Sequence, residues 1–186
     1  MAVIEPRTVT LKNGQEACIR TPVAEDTEKV LEYLKAIFVD DWFFLTTAEE
    51  AKEWQTPQRE QERIETYYQD ENKLLVVSVV DDKVVSMSHI ECGFKKRLQH
   101  VAFMGISILD GYRGNGLGRA IMQTMIDWGR RHRLVEKLIL EVWAKNERAI
   151  ALYDKMGFVE EGRKVRQLKY ANGTYDDMVC MYRFVE

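Results

Sequence analysis

The chain has 186 residues, of which 46% are hydrophobic, and a formal net charge of −3. This length suits a single domain over residues 1–186 with one sizeable core, and leaves no room for a second. The slightly acidic balance argues against a nucleic-acid-binding domain, which usually carries a clear basic excess, so no nucleic-acid partner is expected.

Three cysteines, Cys18, Cys92 and Cys180, are scattered and show neither Cys-x-x-Cys nor Cys/His spacing. They read as reduced residues, and no metal site is expected. There is no charged-then-apolar N-terminal segment and no run of about 18 apolar residues, so a soluble cytoplasmic protein without a membrane partner is expected. The basic run Lys95-Lys96-Arg97 reads as a solvated loop, with a phosphate or acidic-partner contact as the sharper alternative.

In chain order, Thr8 to Leu11 and Glu16 to Arg20 alternate around Asn13-Gly14, which predicts a hairpin. Val30, Leu31, Leu34, Ile37 and Phe38 trace one face of a helix from about Ala24 to Val39. Asp40 to Leu45 reads as an apolar loop. Thr47 then caps a long polar helix from Ala48 to Gln69, which Pro57 could divide.

Leu74 to Val80 and Val84 to Glu91 form a hairpin of buried strands turning at Asp81-Asp82-Lys83, and His100 to Leu109 is the next strand. A helix begins at Leu117, with Ala120, Ile121, Thr124, Met125 and Trp128 on one face. A strand at Lys137 to Val142 and a short helix from Glu147 to Met156, stopped by Gly157, come next. Val159 to Tyr170 and Tyr175 to Val185 close the chain as a hairpin around Ala171 to Thr174. The order β-β-α-α-β-β-β-α-β-α-β-β predicts an α/β sheet of mixed direction.

Between the strand ending near Leu109 and the helix starting at Leu117, four glycines fall at 111, 114, 116 and 118. Glycine allows positive φ and close approach of backbone to a ligand. The following helix offers unpaired N–H groups and the positive end of its dipole, a setting that favours phosphate. Arg113 and Arg119 add charge. A P-loop would need Lys and then Ser or Thr after its last glycine, but Arg119-Ala120 follow Gly118. A dinucleotide fingerprint counted from Gly114 meets Arg119 at its third glycine position, and too little chain remains beyond it.

Arg113, Gly116 and Gly118 fit Arg-x-x-Gly-x-Gly. Downstream stand Asn146 and then Leu152-Tyr153-Asp154-Lys155-Met156-Gly157-Phe158. In this pair of motifs, from Ile106 to Phe158, the sequence resembles the GNAT superfamily of acyl-CoA-dependent N-acyltransferases. One departure is visible: where the family often has Pro before the Tyr-Arg pair, Asp110-Gly111 stands here.

The resemblance implies a single-domain α/β fold with a mixed, mostly antiparallel central sheet of about seven strands and helices on both faces. It implies acetyl-CoA as cosubstrate and an amine acceptor, with the pyrophosphate held at Arg113, Gly114, Asn115, Gly116, Leu117, Gly118 and Arg119. The CoA arm would pair with the backbone of Ile106, Ser107 and Ile108 and with Asn146, although Asn146 also reads as a helix N-cap. Tyr153 takes the place of the family's proton donor to the departing thiolate; packing on the arm is the plainer reading.

For the general base, Glu91, Glu141 and His100 are candidates, and a water chain could replace them. The family's first two helices cover the acceptor site. Trp42, Phe43, Phe44, Trp54 and Tyr67 would therefore line a pocket or close a helical layer, and Asp40, Asp41, Glu49 and Glu50 would suit a cationic acceptor or form a solvated face. The segment from Glu161 to Met181 is similar to a bacterial branch acting on ribosomal-protein N-termini, amino acids, polyamines and xenobiotics. A homodimer through the C-terminal hairpin, a non-catalytic acetyl-CoA sensor of the same fold, and a nucleotide- or NAD-binding module stay open.

Overall fold

The structure is a computed structural model that describes residues 3–38, 49–50 and 55–185. Eight strands, numbered β1 (Arg7–Thr10), β2 (Glu16–Arg20), β3 (Lys73–Val80), β4 (Lys83–Cys92), β5 (Val101–Ile108), β6 (Lys137–Trp143), β7 (Val159–Lys169) and β8 (Tyr175–Phe184), run in the sheet order β1-β2-β3-β4-β5-β6-β8-β7. All eight predicted strand runs are present, so the sheet has eight strands where the resemblance implied about seven. The chain divides into two compact units, Met1–Glu91 with Ile106–Ile121, and Cys92–Gly105 with Met122–Glu186. Strand β5 (Val101–Ile108) and helix α3 (Leu117–Arg131) each run through both.

In the first unit, β1 (Arg7–Thr10) and β2 (Glu16–Arg20) pair antiparallel around Gly14, whose φ of +86° fits the predicted Asn-Gly turn. Next to β2 lie β3 (Lys73–Val80) and β4 (Lys83–Cys92), also antiparallel, with a bulge at Ser78/Val79. Their tight turn holds Asp81 and Asp82 at φ +48° and +63°.

Helix α1 spans Thr27–Ile37, and the expected first turn from Ala24 is instead a 3-10 segment, Ala24–Asp26. Within that turn the Asp26 carboxylate receives the Val23 N–H at 2.8 Å and a two-pronged Arg20 guanidinium at 2.6 and 2.8 Å. Helix α2 is Pro57–Gln69. Pro57 therefore opens a helix instead of dividing one: it stands at the first helical position, where its missing N–H costs nothing, and the Thr56 hydroxyl caps Arg59 N–H. The first part of the predicted polar helix, with its Thr47 cap, lies mostly outside the described residues.

Val30, Leu34 and Ile37 of α1, Ile64 and Tyr67 of α2, Leu75 and Val77 of β3, and Met87 of β4 form one buried cluster. On the opposite face of β3 and β4, Ser78 pairs with Ser86 and Ser88 follows two residues on. All three hydroxyls are buried without a partner among the described residues.

In the second unit, the start of β5 runs parallel to β6 (Lys137–Trp143), β6 pairs antiparallel with β8 (Tyr175–Phe184), and β8 with the edge strand β7 (Val159–Lys169). Helix α3 lies close on β6: a Cβ added at Gly129 would come within 3.3 Å of Leu138 Cδ2. Helix α4 (Glu147–Lys155) ends at Gly157, φ +80°, as its glycine stop predicts. Cys18, Cys92 and Cys180 form no disulfide among the described residues. No helix among the described residues is long and apolar enough to cross a membrane.

Candidate functional site

The glycine segment belongs to the first unit. Strand β5 ends at Ile108, the Leu109 N–H donates to the Val85 carbonyl at 2.9 Å, and a 3-10 turn, Asp110–Tyr112, leads into the loop. Gly114 and Gly116 adopt φ of +81° and +92°, whereas Gly111 and Gly118, also read as candidates for positive φ, do not. Gly111 lies in the 3-10 turn and Gly118 in the first turn of α3, and neither backbone needs the left-handed region. A Cβ at Gly116 would meet nothing within 4 Å. Its need for glycine is therefore conformational, and the space beside its backbone suits the close approach of an anion.

Side chains of the loop divide in their use. Arg113 turns back, its Nε donating to the Ile108 carbonyl at 2.8 Å and its Nη1 to Asp110 Oδ1 at 3.0 Å, so it braces the loop as well as charging it. Arg119 is exposed and unpaired among the described residues, and stands in the first turn of α3 beside N–H groups that an α-helix leaves without intrahelical acceptors. Ile106, Ser107 and Ile108 are half-buried, and Leu117 is fully buried, anchoring the helix start. The segment thus joins a half-buried strand end, two left-handed glycines and a helix N-terminus, a set of donors suited to a phosphate-bearing ligand.

Sequence reasoning missed two supports of this segment. The Lys12 N–H donates to the Asn115 carbonyl at 3.0 Å, so the turn of the β1–β2 hairpin holds the loop. The Tyr33 hydroxyl reaches Ser107 Oγ at 2.7 Å. The Asn-Gly hairpin was readable, but nothing local says what its turn will touch.

Also in this unit, the Tyr67 hydroxyl donates to Glu91 Oε1 in a short hydrogen bond. Burial, then the neighbouring carboxylate, pushes the Tyr67 phenol well above its ordinary pKa and keeps it protonated. On the same strand, burial and the Arg63 charge hold His89 below the usual histidine range, which favours the neutral imidazole at pH 7. Trp42, Phe43, Phe44, Trp54, Asp40 and Asp41 lie outside the described residues; Glu49 and Glu50 are exposed.

Asn146 and Tyr153 belong to the second unit. Asn146 caps α4, its Oδ1 accepting the Ala149 N–H at 3.2 Å, which leaves its amide N–H groups as donors. Tyr153 is buried, with its ring centroid 6.2 Å from that of Phe158, and burial pushes its phenol up to about 12. Its hydroxyl makes no hydrogen bond among the described residues. Of the other base candidates, Glu141 is ion-paired with Lys164 at 2.5 Å and His100 is exposed. The basic run Lys95-Lys96-Arg97 is exposed as well.

A family model described as the acetyltransferase (GNAT) family matches residues 31–158. The L-amino acid N-acetyltransferase AaaT of Escherichia coli (strain K12) is 34% identical over 110 residues, which cover 58% of this chain and 66% of that protein. An N-alpha-acetyltransferase of Sulfurisphaera tokodaii is 28% identical over 170 residues, 87% of this chain and 90% of that protein. Among solved structures, an acetyltransferase of GNAT family from Streptococcus pneumoniae shares the fold with a TM-score of 0.85 at 22% identity, over 91% of this chain and 99% of that one.

Proposed function

Because the chain belongs to the acetyltransferase (GNAT) family, we propose that it transfers an acetyl group from acetyl-CoA to a primary amine by direct attack in a ternary complex. The acceptor is an amine of a small molecule or the N-terminus of a peptide or protein. The observation that carries this reading is the loop from Arg113 to Arg119, with Gly114 and Gly116 in the left-handed region ahead of the α3 N-terminus.

In this reading the N–H groups of the loop and of the first turn of α3 bind the pyrophosphate, and Arg119 supplies charge. The backbone of Ile106, Ser107 and Ile108 binds the arm. The amine nitrogen forms a bond to the thioester carbonyl carbon, the carbon–sulfur bond breaks, and the sulfur leaves as a thiolate. One proton must leave the nitrogen and one must reach the sulfur.

Glu91 is the carboxylate we assign to the first transfer, because Tyr67 fixes its position while Glu141 is engaged by Lys164. Tyr153 is assigned to the second. A phenol pushed up to about 12 stays protonated at neutral pH. It is nevertheless a weak donor to a thiolate whose conjugate acid is near 8.5 in water, unless desolvation raises the thiol pKa as well. Orientation of the two substrates would then supply much of the acceleration.

The relatives compared above are named for amino-acid and N-alpha acetylation, which ranks α-amines first among acceptors. Three cysteines outside any disulfide suit a reducing compartment such as the cytoplasm. Release of CoA thiol from acetyl-CoA, followed over amino acids, peptides with free N-termini, polyamines and aminoglycosides, tests the reading. Turnover with one class supports it. Stabilisation by acetyl-CoA without turnover on any class would instead favour a non-catalytic sensor.

A further inference from the structure

Tyr33 lies on α1 three residues after Val30 and four before Ile37, at the edge of the helix's apolar face, and is only 1% exposed. A buried phenol needs a partner, since an unmet hydroxyl in an apolar cluster forfeits its hydration. Its partner is Ser107 Oγ at 2.7 Å, and Ser107 Oγ lies 3.0 Å from the Met87 carbonyl oxygen. A carbonyl can only accept, so the Ser107 proton points to Met87 and the Tyr33 proton to Ser107. The direction of the chain is fixed, and both hydroxyls are satisfied.

The position of this chain gives it meaning. The Leu109 N–H bonds the Val85 carbonyl, and counting back along two antiparallel strands sets Ser107 opposite Met87. Ser107 is therefore tied by its side chain at two points, to the neighbouring strand and to a helix, in the middle of Ile106–Ile108. Those residues are the backbone to which the reading above assigns the thioester-bearing arm, and the present inference rests on that assignment.

We propose that Tyr33 is a positioning residue for acyl-CoA: through Ser107 it sets the lie of the β5 backbone that pairs with the arm. The link persists at alkaline pH, because burial holds the phenol protonated well above its ordinary range. It also places a residue of α1 in direct contact with the cosubstrate strand.

The test uses the full chain. Wild type, Tyr33→Phe, Ser107→Ala, Ser107→Thr and the Tyr33→Phe/Ser107→Ala double variant are compared by calorimetric titration with CoA and by KM for acetyl-CoA and for the amine. Tyr33→Phe keeps the buried ring and should raise both the CoA Kd and the KM for acetyl-CoA about fivefold, as expected for one hydrogen bond. The KM for the amine should stay within about twofold. Ser107→Thr, which keeps the hydroxyl, should retain most of the affinity.

The double variant should be no weaker than Ser107→Ala alone, because both changes break one chain. Unchanged affinity in Tyr33→Phe, or strictly additive losses, would overturn the inference while leaving the acetyltransferase reading in place. Failure of the wild type to bind CoA would overturn both.

Discussion

The main-chain N–H of Lys12 donates to the Asn115 carbonyl across 3.0 Å, so a hairpin turn more than a hundred residues upstream holds the loop between β5 and α3. The contact involves only backbone of Lys12, and its side chain is exposed. Lys12→Ala should therefore leave CoA affinity unchanged. Lys12→Pro, which removes the donor, should weaken it about fivefold. Calorimetric titration of both variants with CoA checks this, and equal affinities would mean that the hairpin turn has no part in shaping the loop.

Glu91, held by Tyr67, is expected to accept the proton of the attacking amine. Glu91→Gln should lower kcat by about 10²-fold with little change in the Kd for CoA, in the range found for a positioned general base. Tyr67→Phe should produce a smaller loss, because the carboxylate remains but is less well fixed. A Glu91→Gln enzyme with normal kcat at neutral pH would return the proton transfer to water.

Tyr153→Phe should reduce kcat without altering CoA binding if the phenol delivers a proton to the thiolate. Because burial pushes Tyr153 up to about 12, its acid form persists across the alkaline range. The ratio of wild-type to variant kcat should therefore stay flat from about pH 7 to about pH 10. A ratio that falls by about pH 9 would mean that Tyr153 loses its proton as an ordinary phenol does, and would contradict the elevation by burial.

Stability should depend on the Arg20–Asp26 pair. Burial pushes the Asp26 carboxyl up, but the Arg20 hydrogen bonds, the Val23 N–H and the Arg20 charge together outweigh it and hold the pKa below the usual carboxylate range. A depressed folded-state pKa means that its stabilisation is complete above the unfolded value near 3.9 and is lost as the pH falls through the folded one. Asp26→Asn should lower Tm at neutral pH, by an amount corresponding to about 1–3 kcal/mol. The difference from wild type should shrink below about pH 4. A gap that is constant down to pH values near 2 would assign the loss to packing rather than to charge.

The parts legible in the sequence are those whose signals are local. Positive φ at Gly114 and Gly116, the Asn-Gly hairpin, the stop at Gly157 and the alternation of the strands each depend on a few adjacent residues. Pro57 was ambiguous because a proline can interrupt a helix or open one, and only the Thr56 cap selects the second. Gly111 and Gly118 looked equivalent to Gly114 and Gly116, yet the 3-10 turn and the helix give them ordinary φ.

What was not legible depends on tertiary pairing. Tyr67 with Glu91, Tyr33 with Ser107, and Lys12 with Asn115 are separated by 24 to about a hundred residues, and no periodicity relates them. Glu141 and Glu91 are alike as base candidates in the sequence, and only the fold sets Lys164 against one and Tyr67 against the other.

The most direct measurement is a grid of initial rates, varying acetyl-CoA against the best amine of the panel, with mass detection of the acetylated product. Direct transfer in a ternary complex gives intersecting double-reciprocal lines and one acetylated amine for each CoA released. Parallel lines would show an acetylated enzyme in place of a ternary complex, and the absence of CoA release with every amine would contradict acetyl transfer itself.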